Sequence, residues 1–120
     1  MRRTTRLSVA AIIVIAVAAP AASARPEVAK DRRNAVNAMA AIIAVWPKQY
    51  RAEAYRVAGC ETGYTYDVYA RNGQYLGLWQ MGSYARGRYG HSWTALGQAR
   101  AAYRYFVDSG RDWSPWECKP

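Results

Sequence analysis

Between residues 26 and 61, apolar positions recur at three- and four-residue spacing, as they do in helices that bury one face. Val36, Met39, Ala40, Ile43 and Trp46 form such a stripe and predict an amphipathic helix over roughly 27–45, with Pro26 and Glu27 suited to its first turn. Pro47 interrupts that helix and opens a second, roughly 47–60, in which Tyr50, Ala54, Val57 and Ala58 share a face. Glu61 follows Tyr50 by eleven positions and falls about 20° from it around the helix axis, on the same stripe. Lys48, Arg51 and Arg56 point elsewhere. The spacing therefore carries a carboxyl inward at the C-terminal end of a helix.

Beyond Glu61 the pattern changes. Residues 62–82 read as loop and hairpin: "YTYDVYA" is aromatic and β-prone, "RNGQ" carries the Asn-Gly turn signal, and "YLGLWQM" is a short apolar strand broken by Gly77. Tyr66 and Val68 are expected to alternate inward along the first of these strands. A third helix is predicted from about Thr94 to Asp108, with Ala95, Ala99, Ala102 and Phe106 on one face and Gly110 as its stop. The expected fold is α+β, mainly helical, a small domain with a short β-hairpin and one disulfide.

The first residues stand apart from this pattern. Arg2, Arg3 and Arg6 precede the apolar run "LSVAAIIVIAVAA", and Ala22-Ser23-Ala24 supplies a small-x-small cleavage signal, so residues 1–24 read as an export signal peptide. An uncleaved anchor is the competing reading. Residues 25–45 then form a helical lead-in, and 46–120 the functional domain. Removal of the leader takes three arginines and no acids, so the mature chain stays basic; the whole chain has 17 Lys and Arg against 8 Asp and Glu. A basic protein outside the cell meets polyanions such as wall polymers, lipid head groups or nucleic acid. No Lys/Arg-rich tract or nucleic-acid motif favours the last of these.

Cys60 and Cys118 are the only cysteines, and in an oxidising compartment such a pair most simply forms one disulfide. A catalytic thiol is the alternative, although the only histidine, His91, is not marked as its partner. No metal site or cofactor motif is present.

Glu61 is the principal chemical candidate. Apolar neighbours and the negative end of a helix dipole both disfavour its charged form, which suits a general acid for glycosidic cleavage. The plain alternative is a solvated glutamate at a helix end. The following residues bear on that choice: Tyr64, Tyr66, Tyr69, Tyr75 and Trp79 offer faces that stack on sugars, and Gly73 and Gly77 allow close backbone approach. Tyr75, Trp79 and Gln80 are expected to line a cleft.

Taken in order, "VAGCETG" and "YARNGQYLGLWQMG" resemble the catalytic signature of the lysozyme-like superfamily, specifically bacterial soluble lytic transglycosylase domains and resuscitation-promoting-factor domains. The matching pieces are Glu61-Thr62-Gly63, Asn72-Gly73 and Gly77-Leu78-Trp79-Gln80. Cys60 and the terminal "WSPWEC" resemble the resuscitation-promoting-factor branch and its disulfide, and the likeness covers roughly residues 46–118. It implies a lysozyme-like fold and cleavage of the β-1,4 bond between N-acetylmuramic acid and N-acetylglucosamine in peptidoglycan. Glu61 would be the acid/base, with Asn72, Tyr75, Gly77, Leu78, Trp79 and Gln80 binding the glycan. Use of the muramoyl 6-hydroxyl would give a 1,6-anhydro product; use of water would give hydrolysis.

Trp79 stands where transglycosylases commonly carry Met, resuscitation-promoting factors place their Gln one position earlier, and "AAYRYF" with Tyr103 only loosely echoes a later tyrosine motif. A second carboxylate close in sequence could only be Asp67, which also reads as a turn-former; Asp108, Asp112 and Glu117 read as solvated or capping residues. The resulting expectation is a secreted, monomeric, cofactor-free transglycosylase acting on peptidoglycan, without nucleic acid or a stable membrane anchor. The alternatives are a hydrolytic lysozyme, a non-catalytic cationic wall-binding module and a membrane-active cationic protein.

Overall fold

A computed structural model describes residues 10–16 and 26–120. The proposed cleavage site at Ala22–Ala24 lies outside the described residues, and no helix among those described is long and apolar enough to cross a membrane. The elements are α1 (Pro26–Val45), a 3₁₀ turn (Lys48–Tyr50), α2 (Arg51–Glu61), β1 (Arg71–Asn72), β2 (Tyr75–Leu76), α3 (Ser83–Tyr89) and α4 (Ala95–Asp108). The chain is a small, mainly helical α+β domain with a two-stranded antiparallel hairpin and one disulfide.

Helix α1 spans the predicted segment but turns a different face inward. Ala38, Ala41, Ile42 and Trp46 are buried, whereas Val36 and Ile43 are exposed. Alanine occurs on every side of this helix, so periodicity alone does not select a face; close packing does. Helix α1 packs on α4, whose Ala99, Ala101 and Ala102 are all buried, in the most extensive helix pairing among the described residues. Ala38, Ala41 and Ile42 of this helix belong to the same buried cluster as residues of α2 and α4. Its last carbonyls are capped by Arg51, which donates from Nε to Trp46 O at 2.9 Å and from Nη2 to Ile43 O at 3.2 Å.

Trp46 occupies the centre of that core. Its ring lies 5.1–5.4 Å from those of Tyr103, Phe106 and Trp113 and 6.1 Å from that of Trp79. Its Nε1 is the buried side-chain polar atom left without a partner among the described residues. Aromatic contact on several sides outweighs that one unmet hydrogen bond.

Two predicted strands are replaced by tighter turns. Only Arg71–Asn72 and Tyr75–Leu76 pair, around Gly73-Gln74, and the chain then reverses again so that Leu76 bridges Met81. Residues 77–80 form the loop of this second reversal, with Gln80 N–H bonded to Gly77 O at 3.1 Å. Tyr66 is buried as expected, but from a turn at positive φ and not from a strand. It stacks on Tyr55 and lies over Gly59, where an added Cβ would clash with its hydroxyl oxygen. Helix α3, absent from the sequence expectation, follows Gly82; its only buried residue is Ala85, too little apolar periodicity to mark it. Helix α4 begins with the Thr94 side chain accepting the Gly97 N–H and buries Ala99, Ala102 and Phe106 as the spacing predicts.

Trp46→Ala is expected to destabilise the domain by about 3–5 kcal/mol, a large share of the stability of so small a fold, measured as a lower denaturant midpoint at unchanged slope.

Candidate active site

The Glu-Thr-Gly triplet is a helix stop before it is anything else. Tyr64 N–H bonds to Gly59 O at 2.7 Å and Gly63 N–H to Cys60 O at 3.3 Å, the paired bonds of a Schellman ending, with Gly63 at φ 59°. Thr62 is buried; its hydroxyl donates to Ala58 O at 2.8 Å and accepts the Tyr66 N–H at 3.0 Å. These bonds hold Glu61 on the last turn of α2, half-buried on the stripe formed by Ala54, Val57 and Ala58.

The C-terminal tail reaches the same point from the other side. Trp113 and Trp116 are buried, and Trp116 Nε1–H donates to Trp79 O at 2.9 Å. Cys118 forms the disulfide with Cys60, and its N–H donates to Glu61 Oε1 at 3.1 Å. The covalent link thus joins the neighbour of Glu61 to the residue that hydrogen-bonds Glu61. Lys119 adds to the tail's order, its ammonium donating to the carbonyls of Trp113, Ser114 and Trp116.

Glu61 opens into a cleft of about 160 Å³, together with Asn72, Tyr75, Gln80, Pro115, Trp116 and Glu117. A second cleft, of about 230 Å³, shares Tyr75, Gln80, Pro115 and Trp116 with the first and extends past Gly82 to Tyr84 and Tyr105. The two form one groove between the hairpin and the tail. Gln80 sits where they meet, at φ 45°, with Nε2 donating to Ala70 O at 3.0 Å and Gly77 O at 2.9 Å. Both donors are occupied by the fold, which leaves Oε1 as the amide's acceptor. Arg86 ties the hairpin to α3 through the carbonyls of Gln74 and Met81.

Burial raises the Glu61 pKa, and the Glu117 carboxylate adds to that; the Cys118 N–H and the Lys119 ammonium oppose them, and the net direction is upward. No Lys or Arg among the described residues forms an ion pair with Glu61. The arrangement favours a carboxyl that keeps its proton to a higher pH than an exposed glutamate does.

Of the residues expected around a glycan, Glu61, Asn72, Tyr75 and Gln80 share the cleft. Gly77, Leu78 and Trp79 do not. Leu78 and Trp79 are fully buried, and the Trp79 indole N–H donates to Ala54 O at 3.1 Å, so the ring expected to line a cleft packs in the core. The tight 77–80 loop drives both side chains inward. Gly77, at φ 82°, has Gln98 Oε1 within 2.5 Å of where a Cβ would stand, and that same oxygen accepts the Leu78 N–H at 2.8 Å.

Asp67 is a turn-former, accepting the Tyr69 N–H at 2.9 Å and lying 3.9 Å from Lys30 on α1. Asp108 accepts from the Tyr89 hydroxyl, and Asp112 caps the Ser114 N–H. Glu117, expected among the solvated and capping acids, is exposed as expected and also lines the cleft beside Glu61. Its only signal in the sequence is adjacency to Cys118, which becomes informative once the disulfide is in place. Tyr103 packs edge-on against Trp46 and does not line the Glu61 cleft. Among the described residues, no group of three His, Cys, Asp or Glu is placed to hold a metal ion.

These features define a small disulfide-linked α+β domain with a half-buried carboxyl at the edge of a tyrosine-walled groove. No protein-family model matches the chain, and neither does any curated protein or solved structure.

The raised pKa fixes the sign of a stability difference. The folded state holds the Glu61 proton more tightly than the unfolded state, so the wild type loses stability as pH rises from about 4 through the folded value. Glu61→Gln, which keeps an acceptor for the Cys118 N–H and carries no charge, is expected to match the wild type at low pH and to gain on it towards neutrality. Denaturant titrations of both proteins across that range check this.

Proposed function

We propose that the chain is an exported peptidoglycan-cleaving enzyme of lysozyme-like type, acting as a lytic transglycosylase with Glu61 as its acid and base. The observation that carries this reading is the half-buried Glu61 carboxyl, without an ion pair among the described residues and tethered by the Cys118 N–H, at a groove that continues past Tyr75 and Gln80 to Tyr84. Tyr75 and Tyr84 offer aromatic faces along that groove, and Asn72 and the Gln80 Oε1 offer polar contacts. The disulfide, the leader-like N-terminus and the basic charge accord with work outside the cell on an anionic wall.

In the proposed reaction, protonated Glu61 gives its proton to the glycosidic oxygen as the bond to the muramoyl C1 breaks. The resulting Glu61 carboxylate then takes the proton of the muramoyl 6-hydroxyl while that oxygen bonds to C1, so the acid is regenerated and a 1,6-anhydro end is formed. No cofactor is required.

Glu117 supports a second reading. A carboxylate in the same cleft could deprotonate a water instead, and the outcome would be hydrolysis.

Mature protein is expected to release soluble muropeptides from purified cell walls, and Glu61→Gln to lower the rate by at least about 10²-fold. Mass spectrometry separates the two outcomes, because an anhydro end is one water lighter than a hydrolysed end. Retention of anhydro products by Glu117→Gln is expected; loss of reducing-end products in that variant would favour hydrolysis. A purely wall-binding protein would bind equally with and without Glu61 and release nothing.

A further inference from the structure

Two aromatic side chains belong to neither the core nor the Glu61 groove. Tyr69 is 66 % exposed and Trp93 42 % exposed, yet their rings stack at 5.4 Å with an interplanar angle of 26°. His91 stands edge-on to Trp93, with ring centroids 4.6 Å apart. The two rings come from loops far apart in sequence, so their alignment needs a cause.

That cause is one buried side chain. Gln98, on α4, is 5 % exposed, and its Nε2 donates to Val68 O at 2.9 Å and Ser92 O at 3.0 Å. These are the carbonyls immediately before Tyr69 and Trp93. The Asp67 carboxylate fixes the Tyr69 N–H, and Ser92 and Thr94 share a hydroxyl contact at 3.0 Å on the other loop. The fold therefore holds a stacked aromatic pair in register while leaving its outward ring faces in water, although neither ring is needed to close the core.

We propose that Tyr69 and Trp93 form a second glycan-stacking site, outside the Glu61 cleft, that engages an N-acetylated polysaccharide strand through the faces of its pyranose rings. The identity of the occupant rests on the proposed function, and three features favour it. Two rings are far too small for a stable protein interface, which takes about 800 Å² from each partner, but they suffice for a saccharide. Their rim is polar: the His91 imidazole, the Ser92 and Thr94 hydroxyls and Asp67 can meet sugar hydroxyls and amides. Tyr69 also leads through Ala70 and Arg71 into Asn72, which lines the Glu61 cleft. Three Cα steps span at most about 11 Å, within reach of one short oligosaccharide. Burial and the nearby Arg86 lower the His91 pKa, so near neutral pH the imidazole offers both a donor and an acceptor.

Binding is best measured in Glu61→Gln, by co-sedimentation with insoluble peptidoglycan and by titration with soluble N-acetylglucosamine oligomers. Adding Tyr69→Ser and Trp93→Ala is expected to weaken both by at least about tenfold, while Tyr69→Phe with Trp93→Phe keeps them within about twofold. Undiminished binding in the Ser/Ala pair, or equal weakening in the Phe pair, would overturn the proposal. A readout on the unaltered fold guards against unfolding in the variants: the Trp93 indole N–H resonance should shift on addition of the oligomer, and its failure to move would also overturn the proposal. Failure of the catalytic reading is seen separately, as wall cleavage that survives Glu61→Gln, and it leaves these binding measurements interpretable.

Discussion

The contact on which the rest of the molecule depends is the aromatic pile around Trp46. This one ring, at the end of α1, touches side chains from the 77–80 loop, from α4 and from the C-terminal tail. A domain of this size cannot build a thick core from aliphatic layers, and its helices contribute mostly alanine. Large flat rings fill the remaining volume and bury much area per residue. Because the pile joins the end of α1, the 77–80 loop, α4 and the tail, segments that look independent in sequence are placed by the same contact.

The candidate site is one consequence. Trp79 and Trp113 enter the pile directly, and Trp116 bonds to the Trp79 carbonyl, so the tail is laid beside the hairpin before the disulfide is considered. Cys118 is then brought to Cys60, closing a loop of 58 residues that contributes roughly 4 kcal/mol in the chain-entropy model. The same closure presents a backbone N–H to Glu61 and puts Glu117 in its cleft. Structural anchoring and the chemical environment of the carboxyl are therefore inseparable here. Gln98 plays the corresponding part where residues 68, 78 and 92 meet: one amide serves three backbone groups and sets two exposed rings in line.

Sequence periodicity reads well where side-chain sizes differ. In α2 the contrast between Ala54, Val57 and Ala58 and the charged positions places Glu61 on the inner stripe, and in α4 the Thr94 cap and the spacing up to Phe106 mark both ends and the face. In α1 nearly every position is apolar or small over its second half, the stripe is ambiguous, and Val36 and Ile43 lie outside. The hairpin was legible from Asn-Gly, but its extent was not. An apolar run can be a strand or a loop whose side chains plunge inward, and the two differ only in what receives Leu78 and Trp79.

The sequence by itself determined the mainly helical class, the inward phase of Glu61, the glycine stop at Gly110 and the pairing of the two cysteines, because each follows from local geometry or from the simplest choice open to the residues present. The tertiary structure alone decided which face of α1 is buried, that Trp79 is core and not cleft, that Glu117 stands beside Glu61, and that Tyr69 and Trp93 align. Those outcomes depend on contacts between segments far apart in the chain, settled by volume and by hydrogen bonds from residues such as Trp46 and Gln98, whose partners are not adjacent in sequence.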